Sequence, residues 1–512
     1  MSSSRHPPPA DLNPDTFRQL GYRTVDMLAD YYAGIDTRPV YVQATPEEVA
    51  AAFDEPLPET GMEPSAILDA VEERVIPYAT HNPSPRYFGF VMGSGTPLSP
   101  LAGAIAAAVN MNAGGWHPGP SATEIERRCI RWLAEAIGYP ADTGGLLTSG
   151  GTMANFTALL SALRHQTDYE TTGSGLQGGD HPRYTLYMAD HEGHSSIVRV
   201  ADMLNLGREA VRLVPSHDDF TMDVAALEAM LDADEANGDQ PFCVIGQAGS
   251  INVSVVDPLD EIADVCAARD LWFHADGACG AVGAMVPELA PRYAGMERAD
   301  SVTLDPHKWL FIPYACGAVL VRDQQVLAKT FAMDAAYLRG SVGETPEEFD
   351  YYEFGPEMSR EFRALKLWMS LKHYGLAGYR DLLRKNVDCA HHLDGLVRDH
   401  DDFAAVQDPN LFIYSFRYVP ADLQTALVDP PDVPLDRVHE YLDELNQAII
   451  DEVVKSGLAF LTTTSIHGHR ALRMSICSHR TTTDDIEMVF EALAETGARL
   501  DAEWRESASL PV

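Results

Sequence analysis

Residues 303–311 read TLDPHKWLF, which sets Lys308 between His307 and Trp309 at the end of an apolar run. Lysine carries a strongly hydrated ammonium and normally sits at the surface, its stem laid along apolar neighbours. The alternative in such a setting is an amine kept neutral or covalently capped for chemistry. Three further stretches bear on the choice. In LLTSGGTMANFTALL a short apolar run enters Ser149-Gly150-Gly151-Thr152, and a helical pattern follows with Met153, Phe156, Leu160 and Leu163 on one face. Glycines at a strand-to-helix turn let backbone N–H groups approach an anion at the positive end of a helix. No GK[ST] follows and the spacing is not GxGxxG, so neither common nucleotide loop is present.

In LWFHADGACGAV, Asp276 closes an apolar strand and precedes small residues. A partly buried acid needs a partner: a metal, an arginine or a protonated ring nitrogen. His274 and Asp276 share a strand face, but no further ligand lies near in sequence, so no metal is expected. In MADHEGHSSIVRV the His191-Glu192-Gly193-His194 run lacks the two-residue gap of a zinc-binding helix. His194 is then either a structural histidine or a ring lying on a planar aromatic group. An anion cradle, a buried acid, a stackable histidine and a lysine beside apolar strands share one economical explanation. Pyridoxal phosphate has a phosphate, a pyridine nitrogen, a flat ring and an aldehyde, and each finds a counterpart here. Lys308 is then the residue that bonds the aldehyde.

These residues must be placed by a frame, and the pattern around them supplies one. Between about 83 and 378, apolar runs such as YTLYMAD, PFCVIGQA, LWFHADGA, SVTLD and GAVLVRD alternate with helical stretches such as LDEIADVCAARD. That alternation predicts an α/β domain with a mostly parallel central sheet flanked by helices, ligands lying at the carboxyl ends of its strands. Residues 1–82 carry three helix signals, the first opening on Asn13 and Pro14, but too few apolar residues for a core of their own. Residues 379–512 pair amphipathic helices with the strand-like runs NLFIYSFRYV and ALRMSICS, which predicts a small C-terminal α+β domain.

Composition narrows the class. The 512 residues are 46% hydrophobic and 22% charged, with 76 acidic against 37 basic residues and a formal net charge of −39. Such a polyanion repels nucleic acid and anionic membranes, so neither is expected as a partner. The acid is spread along the chain, as on a solvated surface, and salt-accumulating hosts favour such surfaces. Seven scattered cysteines form no CxxC pair, the start is polar and proline-rich, and no apolar stretch is long enough to span a bilayer. A reducing cytoplasm is the expected location.

The chain resembles the group II pyridoxal-phosphate-dependent amino acid decarboxylases, nearest to the bacterial aromatic-L-amino-acid branch. The motifs that carry the resemblance are SPRYFGF (84–90), PSATEIE (120–126), TSGGTMAN (148–155), HSS (194–196), HADGA (274–278), DPHKWL (305–310), REFRALKLW (360–368) and LRMSICSHRTT (472–482). The resemblance implies fold type I of the pyridoxal-phosphate-dependent transferases and a homodimer whose first eighty or so residues wrap the partner. It also implies decarboxylation of an L-amino acid to its amine, most simply an aromatic one of the Trp, Tyr, Phe or DOPA type. Carried over by position, Lys308 is the Schiff-base lysine and His307 its neighbour. Asp276 meets the pyridine nitrogen, Ala278 packs under the ring and His194 stacks on it. Gly150, Gly151 and Thr152 hold the phosphate, and Ser250 hydrogen-bonds near the cofactor. Tyr337 matches a lid-loop tyrosine that, like His194, is a candidate proton donor, within a glycine- and acid-rich loop over about 334–352.

The chain also departs from that pattern. Asp305 stands where many relatives have an asparagine that contacts the phosphate, and an acid there should repel it. Asn112 and Gly114 replace a bulky apolar pair of the substrate region, leaving Phe90, Trp116 and His117 as expected substrate walls. Two other reactions use the same scaffold. An aldehyde synthase typically replaces the lid tyrosine by phenylalanine, so Tyr337 favours simple decarboxylation. An aminotransferase needs a firm anchor for the α-carboxylate, for which Arg473 is the candidate. A catalytically silent cofactor binder is disfavoured by the intact Lys308, Asp276, His194 and Tyr337.

Overall fold

The computed structural model describes residues 11–177, 181–190, 193–333, 348–428 and 435–508. A seven-stranded sheet forms the centre, in the order β1-β7-β6-β5-β4-β2-β3. Its strands are β1 (Gly144–Thr148), β2 (Tyr184–Ala189), β3 (Val211–Val214), β4 (Gln240–Gln247), β5 (Trp272–Asp276), β6 (Ser301–Leu304) and β7 (Gly317–Val321). The β3-β2-β4-β5-β6 pairs are parallel, and β7 runs antiparallel to both β6 and β1. β1, β5, β6 and β7 are buried throughout, as expected of strands covered by helices on both faces.

The Gly151–Gln166 helix runs from the end of β1 across this sheet and touches β1, β4, β5, β6 and β7. It can lie so close because the face it turns inward carries Ala154, Ala158 and Ala162, each fully buried. A second sheet, ordered β10-β11-β9-β8, is antiparallel. It comprises β8 (Phe403–Ala405), β9 (Ile413–Tyr418), β10 (Thr462–Ile466) and β11 (His469–Ser475), backed by the Leu435–Ser456 and Thr483–Ala508 helices. The expected α/β core and small α+β unit are both present. Short β3, β8 and β10 carried no distinct sequence signal.

Two features cross the boundaries expected from sequence. The Ala364–Asp399 helix runs through position 378 and is broken instead at Gly375, whose φ of 63° only glycine adopts at little cost. Residues 84–90 belong physically with the small sheet. Phe88 N–H donates to Phe460 O at 2.7 Å, Ser475 N–H donates to Phe88 O at 2.9 Å, and the Phe88 ring is buried in the small unit's core.

The three N-terminal helices form as their signals predict. Asn13 caps Pro14–Ala33 by accepting from Asp15 N–H, and Thr45 with Glu48 makes a reciprocal capping box on Pro46–Ala52. The third, Pro64–Ala70, begins at its proline. None of the three buries a residue within this chain. Among the described residues, no helix is long and apolar enough to cross a membrane, and no three ligating side chains gather for a metal.

Candidate active site

β1, β5 and β6 run in one direction, so the segments that follow them emerge at the same edge of the sheet, as does the loop after β2. A cavity of about 370 Å³ opens there. Gly150, Gly151 and Thr152 line one side, His194 and Ala278 another, and His307 with Lys308 a third. Seven residues from four separate stretches of the sequence, each singled out for its chemistry, thus share one cavity.

Asp276 lies just behind its wall, 4% exposed. Its Oδ2 accepts from Asn155 Nδ2 at 3.0 Å and its Oδ1 from Ala278 N–H at 3.2 Å. No cation stands within ion-pairing distance of it among the described residues. A buried carboxylate held by neutral donors alone suits a cationic ring nitrogen.

Behind Asp276 runs a chain of hydrogen bonds whose directions are fixed from the Asp276 end, where the carboxylate can only accept, so Asn155 turns its Nδ2 to Asp276 and its accepting Oδ1 to His274. Trp272 Nε1–H donates to Ser301 Oγ at 2.9 Å, and Ser301 Oγ–H donates to His274 Nδ1 at 2.8 Å. His274 Nε2–H donates to Asn155 Oδ1 at 3.2 Å. Asn155 Nδ2 then serves both Asp276 and Ser196 Oγ, the latter at 3.1 Å. Burial holds His274 neutral, with its pKa lowered to about 4.

His194 caps the Ser195–Met203 helix. Its Nδ1 accepts from Ser196 N–H at 3.1 Å and lies 2.7 Å from Ser196 Oγ, so Nε2 carries the ring proton. Burial lowers the pKa of this imidazole as well. His307 Nδ1 accepts from Cys316 N–H at 3.0 Å, its ring lies against Tyr314 with centroids 4.4 Å apart, and burial takes its pKa down to about 4.

Lys308 Nζ stands 3.1 Å from Asp305 Oδ2 and 3.6 Å from Cys279 Sγ. Burial alone would lower its pKa. The Asp305 and Asp276 carboxylates oppose burial, and the ammonium is held above its ordinary range. Asp305 also accepts Gly151 N–H at 3.0 Å, at the start of the Gly151–Gln166 helix. A Cβ on Gly151 would fall 2.8 Å from Asp305 Oδ2, so this turn requires glycine by contact. The position expected to repel a phosphate is therefore bonded to the glycine turn and to the lysine.

Other expected site residues lie elsewhere. Ser250 is buried outside the cavity wall, its Oγ accepting from Val255 N–H at 3.0 Å within its own loop. Phe90 is 57% exposed and packs near Phe460. Trp116 is half-buried and its backbone N–H donates to Asp350 Oδ1 at 2.7 Å, while His117 Nε2 lies 3.2 Å from Glu348 Oε2. None of these three lines the cavity. Asn112 Oδ1 accepts from the backbone N–H groups of Gly114 and Arg360, which makes it a loop former. Tyr337 lies outside the described residues, as does most of the expected lid. Arg473 is 5% exposed and gives Nη1 to Gly89 O at 2.8 Å and Nη2 to Ile251 O at 2.6 Å, the interface role open to a strand arginine.

Sequence reasoning missed Asn155, Ser196 and the role of Asp305. Asn155 had a readable signal, since it follows Gly151 by four positions and so returns to the same helix face one turn on.

The chain resembles known proteins over nearly its whole length. Residues 46–419 match the pyridoxal-dependent decarboxylase conserved domain. The aromatic-L-amino-acid decarboxylase of Bacillus atrophaeus is 32% identical over 94% of this chain and 96% of its own length. The crystal structure of Oryza sativa TDC with PLP and tryptamine superposes with a TM-score of 0.87 at 26% identity, covering 97% of this chain and all of that one. Rhodiola rosea 4-hydroxyphenylacetaldehyde synthase, 23% identical over 96% of this chain and 99% of its own, shares the fold with a TM-score of 0.83. With nearly three-quarters of its length matched by the family, the chain belongs to the pyridoxal-dependent decarboxylases and is a pyridoxal-phosphate-dependent carboxy-lyase.

Proposed function

We propose that this protein decarboxylates an aromatic L-amino acid to its amine, with Lys308, Asp276 and His194 as the working groups. The observation that carries the assignment of residues is the convergence of Lys308 and His194 with the glycine turn around one cavity, with Asp276 buried behind its wall and bonded to the lining residues Asn155 and Ala278. The aromatic preference is supported by the 32% identity to the Bacillus atrophaeus enzyme.

Bound in this cavity, pyridoxal phosphate supplies an aldehyde that joins an amine and a ring that takes up the electron pair left by departing carbon dioxide. The start of the Gly151–Gln166 helix and the Thr152 hydroxyl hold the phosphate. Lys308 would hold the aldehyde carbon through its amine. Asp276, fixed by Asn155 and Ala278 N–H, holds a proton on the ring nitrogen, which keeps the ring an electron sink. His194 would lie on the ring and keep water from it, and its Nε2 carries the proton it could give. Tyr337 is the second candidate to return a proton to the α-carbon, a role that rests on its sequence position.

Arg473, tied to two backbone carbonyls, is poorly placed as the α-carboxylate anchor of an aminotransferase. The reading extends to a homodimer, supported by exposed Phe17, Tyr22 and Val25 on the first helix and by Leu101, Ile105 and Val109 on Ser99–Val109. A reducing cytoplasm is supported by seven cysteines that are all buried and unpaired. Cofactor-loaded protein is to be given a panel of L-amino acids while carbon dioxide, amine, aldehyde and peroxide are quantified. Equal carbon dioxide and amine from an aromatic substrate is the expected result. Aldehyde with peroxide, or keto acid without carbon dioxide, overturns it, and sedimentation as a monomer overturns the dimer.

A further inference from the structure

Three basic residues stand three apart along 360–366, and they differ in what they meet. Arg360 pairs with Glu126, and Arg363 pairs with Glu357 at 2.6 Å. Lys366 is 7% exposed, and among the described residues no carboxylate stands within ion-pairing distance of it. Its Nζ donates to Tyr314 O at 2.9 Å and to Ala315 O at 3.4 Å. It also lies in the first turn of the Ala364–Asp399 helix, which holds no acidic residue and where the backbone dipole disfavours a cation. A buried ammonium served only by carbonyls is costly unless a negative charge comes near.

The layers beyond Lys366 lead to the glycine turn. The Tyr314 ring lies on the His307 imidazole, and Cys316 N–H holds His307 Nδ1. His307 in turn touches the turn, because a Cβ on Gly150 would fall 3.0 Å from its Cε1. One imidazole and one short segment thus separate the Lys366 ammonium from the glycines at the start of the Gly151–Gln166 helix, where an anion is favoured. Burial first, then the Lys308 and Lys366 charges, hold the His307 pKa down, so the Lys366 field reaches that ring. Asp305, bonded to Gly151 N–H, adds a negative charge on the same turn. Lys308 is the one lysine or arginine among the described lining residues, and it is already paired with Asp305.

We propose that Lys366 is the buried counter-charge of the cofactor phosphate, acting across the His307 layer and not by contact. This rests on the glycine turn being the phosphate seat. Coulomb attraction falls off only as the inverse of distance, and buried protein screens it less than water does. A cation one layer back therefore offsets Asp305 and leaves the turn attractive to a phosphate. Lys366 touches neither cofactor nor substrate, so its part is to place a charge. The carbonyls of Tyr314 and Ala315 fix where that charge stands.

The test compares two ligands that differ only by the phosphate. Apo protein is titrated by visible absorbance with pyridoxal phosphate and, separately, with phosphate-free pyridoxal. Lys366→Gln keeps an N–H donor and removes the charge, Lys366→Met removes both, and Lys366→Arg keeps the charge. Each neutral variant is expected to lose about tenfold more affinity for pyridoxal phosphate than for pyridoxal, while Lys366→Arg keeps the wild-type ratio. A lysine that only braced the Tyr314–Ala315 backbone would weaken both ligands alike. An unchanged ratio in either neutral variant therefore overturns the proposal, as does a ratio lost in folded Lys366→Arg. Loaded wild-type protein reduced with borohydride must carry the cofactor on Lys308. A cofactor found on another lysine would overturn the site assignment itself, a separate failure.

Discussion

Asn155 donates to Asp276 across 3.0 Å, and one amide group thereby fixes the buried acid of the site to the helix that begins at the glycine turn. The same side chain accepts from His274, two residues back on the acid's own strand, so one amide ties β5 to the helix at two points. Replacing Asn155 by aspartate puts a second carboxylate against Asp276 and leaves the His274 proton better bound. Cofactor affinity is expected to fall at least about tenfold, read by absorbance titration of apo protein. Asn155→Ala takes a hydrogen bond from each of three buried polar partners, Asp276, Ser196 and His274, and is expected to cost about 1–3 kcal/mol in urea unfolding. Unchanged cofactor affinity in Asn155→Asp would mean that Asp276 is not held through this amide.

Arg360 and Glu126 form an ion pair with essentially no exposure, and the same guanidinium reaches Ala113 O at 3.0 Å and Leu147 O at 2.7 Å. It also stacks 4.5 Å over Tyr351. Removing one partner leaves an uncompensated buried charge, so Arg360→Met should cost about 3–5 kcal/mol, read from urea midpoints. The double variant Arg360→Met with Glu126→Leu should recover much of that loss. A single variant within 1 kcal/mol of wild type would show that water reaches the pair.

Acid should loosen the fold before most carboxylates titrate. His274 and His307 are buried with pKa values near 4, and His479, bonded to Ser94 Oγ at 2.7 Å, with one near 3. In the unfolded chain each takes a proton below about 6.5, while in the fold each waits until about 4 or lower. The unfolded state therefore binds more protons in that window, and stability drops as pH falls through it, by up to about 1.4 kcal/mol per pH unit for each histidine. Urea midpoints between pH 7 and 4.5 measure this, and a flat profile would contradict neutral burial.

Tyr337→Phe is expected to divert the reaction. Amine output should fall by about 10²–10⁴-fold if the phenol returns the proton, with aldehyde and peroxide appearing in its place. Retention of full amine output would pass that role to His194.

The chemistry of the site was legible because it rests on residue types at strand ends, a feature written locally. Gly150, Gly151, Thr152, His194, Ala278, His307 and Lys308 each follow an apolar run, and a parallel sheet gathers such ends at one edge. Relations across strands left no such mark. Asp305 looked like a misfit beside a phosphate, because nothing local shows that it faces Gly151 and Lys308. Ser250, Phe90, Trp116 and His117 were expected at the cavity, but where a loop side chain points is decided by partners such as Val255, Asp350 and Glu348. The domain limits blurred for the same reason, since residues 84–90 pair with strands nearly four hundred positions away.

That last pairing sets an order of assembly. Arg473 reaches Gly89 across a sequence separation of 384, and Phe88 finds its backbone partners only in residues 460–475. Every working side chain named here leaves the ribosome long before those residues exist. The nascent chain therefore carries residues 84–90 as an unmatched edge through most of its synthesis, an invitation to chaperones or to neighbouring chains. A protein stopped before residue 460 would hold all the chemistry and lack the strands on which its N-terminal segment closes.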